Sequence, residues 1–437
     1  MEKNYSQLLT DIQKKSGISV LTSRDLRFLK EEIDDTLRIS LGFNTLRRLF
    51  GFLEKTQPSI KTLDMLANYL GFENYSSYKS NMINYDEWYF QQNLQRIQTS
   101  NSLTEDDLKM ISVSLVNTNN IVSFAYFFSY FIEKLNSNIL EIIFKHIYFT
   151  KFSKSDLLKF ATITTLSLYR IEEKEALTIY KKLIKYDDFR NNMPLLYIDY
   201  STLNGTYSKV LTLIKKQNSN NSDILFVELM EFYRSYYSLK KLHHIEIKKP
   251  FNFETFHPVL QGRYYAYLLM KSPKDTKKIE REILNYCKKI PTEITWFFEE
   301  IIPSLISIKN FNFLSKLITT FNDIIFETNR WDSKTGHALS LIAMANFNID
   351  KGNTKAAFLN LNRVDLDKIE LSYSEYIKLF YYQAKLQISF IDKDLSENTK
   401  TGILFTELIQ KTGFIKFNEA LTEFTYIEKL KNHSSPQ

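Results

Sequence analysis

Residues 39–53 read Ile39-Ser40-Leu41-Gly42-Phe43-Asn44-Thr45-Leu46-Arg47-Arg48-Leu49-Phe50-Gly51-Phe52-Leu53. On a helix, Leu46, Leu49, Phe50 and Leu53 fall on one side, at the i, i+3, i+4, i+7 spacing of a buried stripe. Ser40, Asn44, Arg47, Arg48 and Gly51 fall on the other. A short helix with an apolar back and an Asn/Arg front carries the groups that read base edges and grip phosphates. Asn44 suits adenine, Arg47 or Arg48 suits guanine, and Ser40 and Thr45 suit phosphate. Lys55 and Lys61 flank the neighbouring link, where they would reach the sugar–phosphate backbone of double-stranded DNA.

The flanking residues extend this stretch into a small bundle. Thr22 and Asp25 have the spacing of a capping box, ahead of a helix with Leu26, Leu29, Ile33 and Leu37 inside. Ser40 is expected to cap the next helix. After the polar link Glu54 to Gln57 comes Pro58-Ser59. Ser59 is expected to cap a third helix that buries Ile60, Leu63, Leu66, Ala67 and Leu70, with Gly71 as its stop. Residues 1–16 read as a preceding helix, and the segment around Tyr75 and Tyr78 as a piece that packs back. Residues 1–83 therefore form one expected unit.

The run Ile39-Ser40…Thr45-Leu46-Arg47-Arg48-Leu49…Gly51…Pro58-Ser59…Thr62-Leu63…Leu66-Ala67…Leu70-Gly71 resembles the lambda-repressor-like helix-turn-helix family. The resemblance covers about 45 residues and implies a recognition helix that enters the major groove. Two features depart from the family. The chain has Asp34-Asp35-Thr36-Leu37-Arg38 ahead of Ser40, without the small residue usual where the two motif helices cross. Residues 1–83 also carry only 12 Lys+Arg against 10 Asp+Glu, and phosphate contacts dominate DNA affinity.

Downstream, residues 84–104 are polar and read as a connector, with Trp88, Tyr89 and Phe90 forming an aromatic cluster that docks on a neighbour. Thr104-Glu105-Asp106-Asp107 is a good helix start. From 105 to 431 apolar helical stretches alternate with short Asn, Asp, Ser or Gly links. His337-Ala338…Ala345…Gly352…Ala357…Leu361 resembles a tetratricopeptide repeat, with small residues where two helices approach and Gly352 in the turn. Ala176 with Tyr180, and Gly205 with Val210 and Ile214, repeat the second-helix pattern. Ala176 and Val210 are 34 residues apart, one period of that family. Residues 432–437 are expected to be a disordered tail.

Composition agrees with this plan. The chain has 437 residues, 44% of them hydrophobic, with ten Gly and eight Pro. That scarcity of turn formers argues for an all-α chain of helices joined by short links; the resemblances above imply its layout, a small helix-turn-helix bundle followed by a long α-solenoid of helical hairpins. A net charge of +7 permits a nucleic-acid partner without requiring one. Lys, Asn, Ile, Phe and Tyr share A/T-rich codons, so basic-aromatic patches say little about single-stranded nucleic acid. One cysteine, Cys287, excludes an intrachain disulfide. The first residues lack the apolar core of a signal peptide, and Ile121 to Ile132 is too short to span a membrane. A cytoplasmic location without membrane attachment is expected.

The remaining motifs read as structure. Lys240-Lys241-Leu242-His243-His244 with Lys248-Lys249, and Lys274, Lys277, Lys278 and Arg281, read as solvated surface. His243, His244 and His257 lack metal-ligand spacing, so neither a metal nor a cofactor is expected. Arg330 and His337 are spaced like the Arg…His motif of HEPN ribonucleases, a coincidence that 13 Arg and six His allow. No catalytic set emerges, and an enzyme is not expected.

The layout resembles bacterial peptide-responsive regulators that join a helix-turn-helix to tetratricopeptide repeats. That resemblance implies a cytoplasmic DNA-binding transcriptional regulator, whose repeats form a homodimer, bind a peptide or protein in their groove, or both. The alternative is a non-enzymatic scaffold or adaptor whose N-terminal module docks protein and does not read DNA.

Overall fold

The ends of the first helices are set by their terminal residues. In the computed structural model Thr22 and Asp25 close a reciprocal capping box at the start of one helix, and Ser59 accepts from the Thr62 N–H at the start of another. Gly71 ends the latter at φ 99°, in the left-handed region that favours glycine. The structure describes residues 5–54, 56–81, 86–117, 119–147, 149, 152–217, 220–239, 246–290, 294–322, 334–392 and 395–422. Every regular element among the described residues is a helix. Lys55, the Lys240–His244 run, Arg330, the expected boundary at residues 83/84 and the expected tail 432–437 lie outside them.

The chain divides into two compact units, Met1–Asn93 and Leu94–Gln437. The first contains α1 (Ser6–Ser16), α2 (Ser23–Leu37), α3 (Phe43–Leu49), α4 (Ile60–Leu70) and α5 (Tyr75–Asn81). Their shared core is Leu8 and Ile12 of α1, Leu26, Leu29 and Ile33 of α2, Leu46 of α3, Leu63 and Leu66 of α4, and Tyr78 of α5. Tyr78 also donates to Asp11 at 2.8 Å, which ties α5 back to α1 as the sequence suggested. Ile60 departs from expectation. It sits at the first position of α4, where the helix has only begun to face the core, and is 76% exposed.

The polar connector is largely helical: α6 runs Asp86–Ser100. Of its aromatic cluster only Phe90 is buried, while Trp88 and Tyr89 are exposed. Consecutive helical positions point about 100° apart, so three adjacent rings cannot share one neighbour.

In the second unit Thr104 and Asp107 close the capping box that opens the helix Glu105–Ser114. Helices then pack on near neighbours in sequence, such as Lys334–Asp350 on Thr354–Asn362. Ala345 and Ala357 are fully buried there, and Gly352 turns the chain at φ 75°. The helix Pro258–Lys271 approaches Ile294–Ser307 so closely at Gly262 that a Cβ would lie 2.5 Å from the Phe297 carbonyl oxygen.

One joint links segments far apart in sequence. The Tyr200 ring stacks on Tyr376 with centroids 4.3 Å apart, and the Tyr237 and Tyr376 hydroxyls meet at 2.9 Å. Asn204 Nδ2 donates to the Thr412 carbonyl at 2.9 Å. A solenoid held by nearest-neighbour contacts alone would not make this joint. Beside it, Arg263 and Glu300 form an ion pair with both side chains 1% exposed. Tyr233 donates to Glu300 at 3.1 Å. Among the described residues no helix is long and apolar enough to cross a membrane.

Candidate nucleic-acid interface

Residues 39–53 fold as a turn and a short helix. Asp34 fixes the α2–α3 corner. Its Oδ1 accepts the Leu41 N–H at 2.8 Å, and its carbonyl accepts the Arg38 N–H, with Arg38 left-handed at φ 54°. Lys30 pairs with the same carboxylate. The chain stays extended to Gly42, which is the N-cap of α3 and offers no side chain. Ser40 therefore does not cap the helix. With Leu41 buried and its N–H held by Asp34, the cap moves two residues on from Ser40 to Gly42 and the helix begins at Phe43.

The far end of α3 follows from Gly51. At φ 81° it lets the Phe52 N–H reach the Arg47 carbonyl at 2.8 Å and its own N–H reach Arg48 at 3.3 Å. Those two bonds form a Schellman motif, so α3 stops at Leu49. Leu53, placed in the apolar stripe by helical spacing, lies beyond the helix and is half-buried.

The candidate side chains differ in how freely they present themselves. Ser40, Asn44 and Lys61 are exposed, whereas Thr45, Arg47 and Arg48 are half-buried. The Arg47 guanidinium lies 5.9 Å from the Phe43 ring centroid, one turn back on α3. Its Nε is buried without a hydrogen-bond partner. The guanidinium of Arg27, from α2, lies 5.7 Å from the same ring. Arg24 stands 5.8 Å from the exposed Phe28 ring. Sequence reasoning missed Arg27 and Phe43. The i, i+4 spacing of Phe43 and Arg47 was readable, but nothing local to Arg27 says that α2 brings it there.

The arginines of the first unit make no close ion pairs within it. Among the described residues, none of the five arginines of the first unit (Arg24, Arg27, Arg38, Arg47, Arg48) has a carboxylate within ion-pair distance. In the second unit Arg96, Arg170 and Arg263 each pair with one carboxylate and Arg190 with two, whereas Arg234, Arg281 and Arg363 have none among the described residues. A net charge of only +2 over residues 1–83, from 12 Lys+Arg and 10 Asp+Glu, thus conceals cations left open for an external anion.

The other sequence candidates have structural surroundings. His257 caps the helix Pro258–Lys271 by accepting the Val259 N–H, and its ring stacks on Trp296 at 4.8 Å. The His337 pKa is lowered, first by burial and then by Arg363 and Lys334. Lys274, Lys277, Lys278 and Arg281 are exposed. Compared with protein-family models, curated proteins and solved structures, the chain gives no significant match.

Proposed function

We propose that this chain is a DNA-binding regulator whose first unit reads duplex DNA through α3. The observation that supports the reading is that Arg47 and Arg48, without carboxylate partners among the described residues, lie on the same short helix as the exposed Asn44, and that Arg27 of α2 meets that helix at Phe43. Asn44 is placed to pair with adenine, and Arg48 with guanine. Ser40, Thr45 and Lys61 contact phosphates in this reading, as does Lys55. The helical hairpins of the second unit have a separate role. They pair two copies, so that two half-sites are bound together, or they hold a peptide or protein ligand. Electrophoretic shift of fragments from around its own gene tests this. Salt-sensitive retardation by the wild type, abolished in Arg47→Ala/Arg48→Ala, is expected. No retardation by the wild type at low salt would overturn it.

A second reading, an adaptor that docks protein, draws on a different observation. Leu21, Phe28 and Ile60 of the first unit are large apolar side chains left exposed, at 82%, 49% and 76%. Apolar side chains on a small bundle suit a protein partner when they form one continuous patch. Pull-down of a partner lost in Phe28→Ser, together with absent DNA binding, would favour it.

A further inference from the structure

The Phe43 ring has two cations beside it, one from each motif helix. Each cation–ring contact is favourable by itself, since a guanidinium is attracted to the electron-rich face of the ring. Neither guanidinium has a carboxylate within ion-pair distance among the described residues. Arg47 also keeps a buried Nε without an acceptor. Such an arrangement is unfinished in the free protein. An anion with several acceptor oxygens would complete it by accepting charge-assisted hydrogen bonds from both guanidiniums. Arg suits this role because its planar fork matches phosphate oxygens bidentately.

We infer that Arg27, Phe43 and Arg47 form a phosphate clamp, in which the ring fixes two arginines from α2 and α3 around one phosphodiester group of a bound nucleic-acid strand. The inference rests on the DNA reading for the source of the phosphate, and on the Phe43 geometry for the clamp itself. It makes Arg27 a direct contact and Phe43 a positioning residue. It also moves Arg47 from base reading to backbone holding and leaves Arg48 and Asn44 to face the bases. Because α2 and α3 hold the same phosphate, the clamp fixes how the bundle sits on the duplex.

The test uses the full chain and two probes. A labelled duplex pool of random sequence reports affinity by fluorescence anisotropy at several salt concentrations, and inorganic tripolyphosphate reports the clamp without DNA by calorimetry. Arg27→Gln is expected to weaken duplex binding about tenfold, as loss of a charged hydrogen bond does. It should also make the slope of log K against log salt shallower by about 0.9. The Arg27→Gln/Arg47→Gln pair should lose less than the product of the single losses, since both residues hold one group. Phe43→Leu keeps an apolar side chain against the core but removes the ring, and should weaken binding in the same direction while thermal melting still shows a cooperative folded unit. Tripolyphosphate binding should fall in all three variants. If Arg27→Gln leaves affinity and slope unchanged while Arg47→Ala/Arg48→Ala abolishes binding, the clamp is wrong and the DNA reading stands. If the wild type binds no duplex, the DNA reading fails. Tripolyphosphate then decides the clamp alone: binding that Arg27→Gln removes supports it, and no binding overturns it.

Discussion

Arg263 and Glu300 give the sharpest test of the second unit's interior. Both side chains are 1% exposed, so neither can turn to water if its partner is removed. Breaking a buried pair from one side typically destabilises a protein by about 3 to 5 kcal/mol. The surroundings set the order of the two losses. After Arg263→Met, Glu300 keeps the Tyr233 hydroxyl at 3.1 Å as a donor, with Tyr373 at 3.5 Å. After Glu300→Leu, Arg263 loses its carboxylate while its Nε already lacks a partner. Arg263→Met should therefore fall near the lower end, at about 3 kcal/mol, and Glu300→Leu near the upper end, at about 5 kcal/mol. The double variant removes both charges and should recover most of the combined loss, a coupling of several kcal/mol. Urea unfolding followed by tryptophan emission measures all three; Trp296 lies on the same helix as Glu300. Single losses below about 1 kcal/mol, or a double variant as damaged as the sum, would refute the account of this pair.

Two further outcomes follow from titratable groups. Lys185, then Tyr186 and Lys182, hold the Glu141 pKa down to about 2 from its ordinary value of 4.5. A carboxylate with a depressed folded pKa stabilises the protein above its unfolded pKa, and that stability is lost as pH falls toward the folded value. Glu141→Gln should thus be less stable than the wild type near neutral pH, with the difference shrinking from pH 4.5 to about 2; urea midpoints across that range check it, and a pH-independent difference contradicts it. Burial pushes the Cys287 thiol up to about 12. The native protein at about pH 8 should resist a disulfide reagent that reacts fully with the unfolded chain, and reaction at the rate of a free thiol would contradict this.

The sequence carried what depends on neighbours along the chain. The caps at Thr22, Ser59 and Thr104, the stop at Gly71 and the turn at Gly352 were readable because a side chain or a positive φ acts within a few residues. The all-helical class followed from the same local rules. The errors came where two signals competed for one position. Ser40 has cap chemistry, but Asp34 holds the Leu41 N–H and delays the helix to Gly42. Leu53 fits the stripe, yet the Schellman turn at Gly51 ends the helix first. The convergence of Arg27 on Phe43 and the Tyr200–Tyr376 joint depend on packing between segments distant in sequence, which no local period encodes.

The central claim is that α3 and its open arginines meet duplex DNA. The most direct measurement is the affinity of the full chain for duplex DNA between about 50 and 200 mM salt, wild type against Arg47→Ala/Arg48→Ala. The account predicts log affinity that falls linearly with log salt in the wild type. In the double variant it predicts a shallower slope and a loss of about 1 to 3 kcal/mol per arginine. Equal slopes and equal affinities for the two proteins would contradict it.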